Sequence, residues 1–231
     1  MADNPSISFH RTRAAELGHH FAQASHWLSA ATHPQDTTAV SYAAFELRLE
    51  IERIGVEYFR AVNGGRIEHD DLKVIESFKR LENRIYRQDG HQAEIDSKLE
   101  FLEILFDALK APIKLVRPNF GKLADCWHRC SNYCHVTWTL AATQESDRMF
   151  SLAIADLGEV QAYVGTFVQQ SLAWPGNLSQ EFAELRDRYT RSELTREQVL
   201  AEIQAQGVYM SLEYPGQEPQ LFTLQDPGSN A

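Results

Sequence analysis

The stretch from 126 to 135 reads Cys-Trp-His-Arg-Cys-Ser-Asn-Tyr-Cys-His and gathers more chemically capable side chains than any other part of the chain. Arg129 is a fixed cation suited to phosphate, and His128 and His135, one heptad apart, can act as acid or base near neutral pH. Asn132 adds a hydrogen-bonding amide between them. Such a set suits metal-free cleavage of a phosphodiester, in which His135 moves a proton and Arg129 offsets charge on pentavalent phosphorus. Asn132 would orient one of them or the substrate. The plainer alternative is a solvated helical face, since histidines on a helix are more often structural than catalytic.

At about 100° per residue, the apolar spacing predicts a helix from Phe120 to about Thr143 with two unlike sides. Leu123, Cys126, Trp127, Cys130, Cys134 and Trp138 share one side, where a free thiol behaves as a small hydrophobe. His128, Arg129, Asn132 and His135 cover the other, with Asp125 and Ser131 at the margins. The cysteines follow i, i+4, i+8, so adjacent pairs could share a metal with a ligand from elsewhere, but structural zinc sites usually space thiolates around a turn. Core packing is the preferred assignment, and no metal is expected. A di-iron bundle needs paired Glu-x-x-His motifs, and only Glu16-Leu-Gly-His19 is present. No Walker or dinucleotide glycine loop and no Gly-x-Ser-x-Gly motif occurs.

A second polar oddity lies upstream. In the helix predicted over 36–63, Glu46, Glu50, Arg53, Glu57 and Arg60 fall on one arc and predict a solvated stripe. Arg48, Glu52 and Gly55 fall opposite it among Phe45, Leu47, Ile51, Val56, Tyr58 and Phe59. Arg48 and Glu52 are spaced i, i+4 and can pair, yet a desolvated ion pair is weak evidence for stability. They either hold helix register or support a site. Glycine at 55 would let another backbone approach at that level.

The elements that must position these residues are helical. Helices are predicted over 9–31, 36–63, 70–87, 93–109, 120–143 and 146–173, punctuated by His33-Pro34, Asn63-Gly-Gly65, Asp89-Gly90, Pro112 to Pro118, and Trp174-Pro-Gly176. Asp36 or Thr37 is the expected cap of the second. A helix from about Ser179 to Tyr189 follows, then a short one opened by a capping box at Thr195-Arg-Glu-Gln198 and closed at Gly207. Val208–Tyr214 and Gln220–Leu224 switch to a period of two and predict a small hairpin. The expected organisation is an all-α helical bundle over 1–174, an appendage of two short helices and a possible hairpin over 177–226, and a disordered tail over 227–231. Such an appendage stands poorly alone and would serve as a docking arm.

Bulk properties bound the function. The chain has 231 residues, 43% hydrophobic and 23% charged, which is ordinary globular composition. No apolar run reaches membrane-spanning length and the N-terminus lacks a secretion signal, so a cytoplasmic protein with no membrane partner is expected. The formal net charge of -10 disfavours a surface built for nucleic acid, although a local basic groove would suffice.

Two segments bear a family resemblance. Ser41-Tyr-Ala-Ala-Phe-Glu-Leu-Arg-Leu-Glu-Ile-Glu-Arg-Ile54, preceded by Ala24-Ser-His-Trp-Leu28, and Leu123 to Val136 with Ser131-Asn-Tyr-Cys-His135, resemble helices of the HEPN family of small α-helical bundles. The resemblance spans roughly residues 17 to 140. It implies a metal-independent endoribonuclease without a cofactor, RNA as substrate, and a homodimer with the site at its interface. Arg129 and His135, with five residues between them, match the arginine-to-histidine spacing of catalytic members. Arg48 and Glu52 would support that pair, with His128 beside it. A role in stress response, toxin–antitoxin systems or defence follows from the same resemblance. The family also includes inert modules that bind nucleotides or partner proteins, so a non-catalytic interaction module, as a homodimer or within a complex, is the alternative.

Overall fold

The computed structural model describes residues 17–111, 115–135, 138, 146–169, 178–206, 209–212 and 220–223. These residues are mostly helical and divide into two compact units, each assembled from two stretches of chain. One comprises Met1–Gln88 and Pro118–Trp174, the other Asp89–Arg117 and Pro175–Ala231.

In the first unit, α1 (His19–Ala30), α2 (Thr37–Val62), a 3-10 turn (His69–Asp71), α3 (Leu72–Ile75) and α4 (Phe78–Asp89) precede α6 (Phe120–Tyr133) and α7 (Ser146–Gln169). The predicted single helix over 70–87 is thus broken near Ser77. Helix α2 is the hub: α1, α6 and α7 all pack on it. Val40, Ala43, Leu47, Ile51, Ile54 and Phe59 of α2 are sealed from solvent. Helix α7 adds Ala153, Leu157, Val160, Val164 and Phe167 at steps of three or four, the spacing that lines one helical face. Gly55 lets α4 pack closely, because an added Cβ would stand 2.9 Å from Leu81 Cδ2 and that side chain would have to shift.

The predicted solvated stripe on α2 is mostly covered, with only Arg60 keeping as much as 43% of its side chain in solvent. Glu50 is completely buried and accepts the backbone N–H of Gly18 at 2.7 Å and of Phe21 at 3.2 Å. Those donors belong to the first turn of α1, where amides have no intrahelical partner, so a carboxylate from another helix caps α1. Gly18 is required for this approach, with φ of 93° and a would-be Cβ 2.9 Å from Val168. His20 Nδ1 and Glu46 Oε2 meet at 2.7 Å one turn away. Asp36, the expected cap of α2, turns backward and accepts the N–H groups of Thr32 and His33, which hold its carboxyl below the usual range.

In the second unit, α5 (Gln92–Ala108) packs against α8 (Gln180–Thr190) and α9 (Arg196–Gln206). The Phe101 and Tyr189 rings meet at 6.4 Å, and Arg196 Nη2 donates to Asp107 Oδ2 at 2.6 Å. These contacts group 89–117 with the C-terminal region, whereas the sequence pattern assigns it to the bundle. Thr195 and Gln198 form the expected capping box, each side chain accepting the other's backbone N–H at 3.3 and 2.8 Å. Strands β1 (Tyr209–Leu212) and β2 (Gln220–Thr223) pair antiparallel, Tyr209 opposite Thr223. The predicted helical ends at 9–16, 136–137, 139–143 and 170–173, the Trp174-Pro-Gly176 break and the tail at 227–231 lie outside the described residues.

Candidate functional site

Helix α6 begins at Asn119, whose side chain accepts the Lys122 backbone N–H at 2.8 Å and so closes the first turn. From there the spacing delivers one set of side chains inward. Phe120, Leu123, Cys126 and Cys130 are buried, and Cys134 is half-buried. Burial raises all three thiols above their ordinary range, which keeps them protonated and poor as ligands or nucleophiles. Among the described residues, no group of three or more His, Cys, Asp or Glu could hold a metal ion.

Trp127 stands at the border of that core and faces α2. Its indole N–H donates to Glu52 Oε1 at 2.7 Å, and the Arg48 guanidinium lies 4.3 Å above the ring centroid. Arg48 Nε also donates to Glu52 Oε1 at 3.2 Å, and the Phe78 ring stacks on the indole at 15° and 6.4 Å. The i, i+4 pair on α2 is therefore half-buried and serves an aromatic on α6: Glu52 satisfies the indole donor and Arg48 covers a face of its ring. His128 touches the Trp127 ring edge-on at 5.1 Å and is otherwise exposed.

Arg129 faces α7 instead. Its Nε donates to Asp156 Oδ1 at 2.6 Å, its Nη2 to the Asp156 backbone carbonyl at 3.2 Å and to Glu159 Oε2 at 2.8 Å. The Tyr133 hydroxyl, one turn along α6, donates to Asp156 Oδ2 at 2.9 Å. The Asp156 hydrogen bond, outweighing partial burial, raises the guanidinium pKa further and fixes its charge. Burial, then Asp156, holds the Tyr133 phenol protonated. One guanidinium and two carboxylates leave this cluster with a formal charge of minus one, which repels a phosphate.

The helix ends at Tyr133, whose carbonyl accepts the Ser41 hydroxyl of α2 at 2.9 Å. His135 lies two residues past that end, exposed, and Asn132 is exposed in the last turn. The structure thus joins Arg48 and Glu52 at Trp127 with His128 alongside, and places Arg129 separately with Asp156. Among the described residues, neither Asn132 nor His135 makes a side-chain hydrogen bond to Arg129 or to the Arg48–Glu52 pair.

Sequence reasoning missed Trp127 as the object of the α2 pair, and Asp156, Glu159 and Tyr133 as partners of Arg129. It also missed an exposed aromatic pair: Tyr42 and Phe45 are each about half exposed, at 49% and 47%, on adjacent turns of α2, with Trp27 against Tyr42 at 5.0 Å. Large side chains left out of the core at i, i+3 were the available signal, because Phe45 already sat beside Arg48 in the helical projection. Among the described residues no helix is long and apolar enough to cross a membrane. Compared with known proteins, the chain matches no family model, no curated protein and no solved structure.

Proposed function

We propose that this protein is a non-catalytic helical interaction module of HEPN-like form, working as a homodimer or within a complex. The observation that carries the reading is the commitment of Arg129. An arginine that binds phosphate needs net positive charge around it, whereas this one has its Nε and Nη2 on Asp156 and Glu159, and the two carboxylates leave the cluster negative. Tyr42 and Phe45 on α2, with the neighbouring Trp27, support the same reading, because exposed aromatics in a cluster favour protein contacts. The His128 edge and the exposed Asn132 and His135 offer polar groups for the rim of such a contact.

Light scattering after size exclusion, over roughly micromolar to hundred-micromolar protein, tests the proposal. A dimer that Phe45→Glu converts to monomer, with helical content unchanged, supports it. A chain that is monomeric throughout, and whose partners in a co-purification are the same with and without Phe45→Glu, sinks it.

The second reading is the metal-independent endoribonuclease acting on RNA through Arg129, Asn132 and His135. What favours it is the exposure of Asn132 and His135 at one end of the helix that carries Arg129. Asp156 would have to release the arginine on substrate binding. Cleavage of labelled single-stranded RNA in EDTA that disappears in His135→Ala, with folding intact, would support this reading over the first.

A further inference from the structure

Away from α6, the first unit contains a polar cleft of about 280 Å³ lined by Asn63, Arg66, Glu68, Asp71 and Arg84. It opens where α2 ends, and two glycines at positive φ, Gly64 at 65° and Gly65 at 80°, turn the chain into it. Its volume is at the lower end of ligand clefts, which restricts an occupant to a small molecule.

The Asn63 and Glu68–Asp71 sides of the cleft are held in place by hydrogen bonds. The Asn63 amide donates to the Phe59 carbonyl at 2.8 Å and accepts from Gln88 Nε2 at 3.1 Å. Glu68 and Asp71 form a reciprocal capping box, with the Glu68 backbone N–H on Asp71 Oδ2 at 3.1 Å. Each carboxylate therefore keeps an oxygen for another partner. Arg84 Nη2 forms a loose ion pair with Asp71 Oδ1 at 4.0 Å, too long for a hydrogen bond, and Arg66 is exposed. Two guanidiniums, Arg66 and Arg84, thus line the cleft together with two carboxylates, Glu68 and Asp71.

Charge decides the class of occupant. A bare anion meets Glu68, Asp71, the negative end of α2 and a chain of net charge -10. A bare cation meets the two arginines. A small molecule bearing both charges at short separation satisfies both walls and adds no net charge. We propose that this cleft is a binding site for a small zwitterion of the α-amino-acid class, its carboxylate between Arg66 and Arg84 and its ammonium toward Glu68 and Asp71.

Saturation-transfer NMR on the full chain tests this with glycine, L-alanine and L-glutamine as zwitterionic probes and with acetate and ethylammonium as single-charge probes, while phosphorus-31 line broadening follows inorganic phosphate. The expected result is saturable binding of at least one zwitterion with Kd at or below about 1 mM, weakened about tenfold by Arg84→Gln and by Arg66→Gln. Arg66 is exposed, so its replacement leaves the fold intact and separates binding from stability. Asp71→Asn keeps an acceptor for the Glu68 amide while removing the charge opposite the ammonium, and weakens binding as well. Phosphate binding with every zwitterion silent, no saturation up to roughly 10 mM, or binding that survives both arginine variants overturns the assignment.

Discussion

Replacing Arg129 by alanine separates a structural guanidinium from a catalytic one. The substitution removes the Nε bond to Asp156 at 2.6 Å and the Nη2 bond to Glu159 at 2.8 Å, and leaves Asp156 with the Tyr133 hydroxyl. A hydrogen bond to a charged partner contributes about 1.5–3 kcal/mol when buried, and an exposed ion pair about 0.2–1 kcal/mol. The Arg129 and Asp156 side chains keep about a quarter of their surface, at 27% and 26%, and Glu159 is mostly solvated at 74%. The Asp156 contact therefore dominates, and after solvent screening the expected loss is about 1–2 kcal/mol. For a chain of this size that lowers Tm by roughly 3–6 °C. Urea unfolding followed by far-ultraviolet circular dichroism measures it, and a cycle with Asp156→Asn should return a coupling of about 1 kcal/mol. An Arg129→Ala protein as stable as the parent, or more stable, would refute the reasoning. A guanidinium held for a substrate is expected to cost stability, and its loss to leave the fold unharmed.

Four further outcomes follow from packing and capping. Glu50→Ala should cost about 2–3 kcal/mol in chemical denaturation, since it strands the Gly18 and Phe21 amides and empties a sealed position. Burial raises the Glu50 carboxyl above its ordinary 4.5, so its contribution is full below that pH and declines as pH rises through the shifted value. Glu50→Gln should accordingly lose less relative to the parent at about pH 7 than at about pH 4, and a gap that widens instead contradicts that sign. Gly55→Ala should destabilise by about 1–3 kcal/mol despite better helix propensity, because its methyl would press on Leu81 at 2.9 Å and Phe78 at 3.2 Å; a higher Tm would show that α4 yields. Trp127→Phe should cost about 1–2 kcal/mol by urea unfolding, because Glu52 loses its indole donor and Arg48 its larger ring; an unchanged midpoint would mean solvent replaces both.

Local features were legible in the sequence. The capping box at Thr195 and Gln198 depends on residues three apart, and the burial of Cys126 and Cys130 follows from helical spacing on one helix. What escaped involves partners distant along the chain. Glu50 has the same periodicity as Glu46 and Glu57, which keep part of their surface in solvent, and only the arrival of Gly18 and Phe21, some thirty residues earlier, makes it a fully buried cap. Arg129 has the type and spacing of a catalytic residue, but its role depends on Asp156, in a helix whose register no pattern specifies. Arg48 and Glu52 were singled out as charges on the core-facing side, yet at 33% and 29% their side chains are more exposed than Glu46 and Glu57 of the expected wet stripe, at 20% and 12%. Their purpose lay in the indole of Trp127, which the same spacing argument had assigned wholly to the core.

The grouping of Asp89–Arg117 with the C-terminal region sets the order in which the chain can mature on a ribosome. Helix α5 is complete at Ala108, yet α9, one of its partners, is not complete until Gln206. At typical synthesis rates that interval is roughly 5–20 s. Through it, Leu99, Phe101, Ile104 and Leu105 have no finished second unit to enter, although the remainder of the first unit is being made in the meantime. Chaperone occupancy should therefore peak while residues 118–206 emerge, and a stop codon ahead of α8 should yield an aggregating product rather than a smaller folded one.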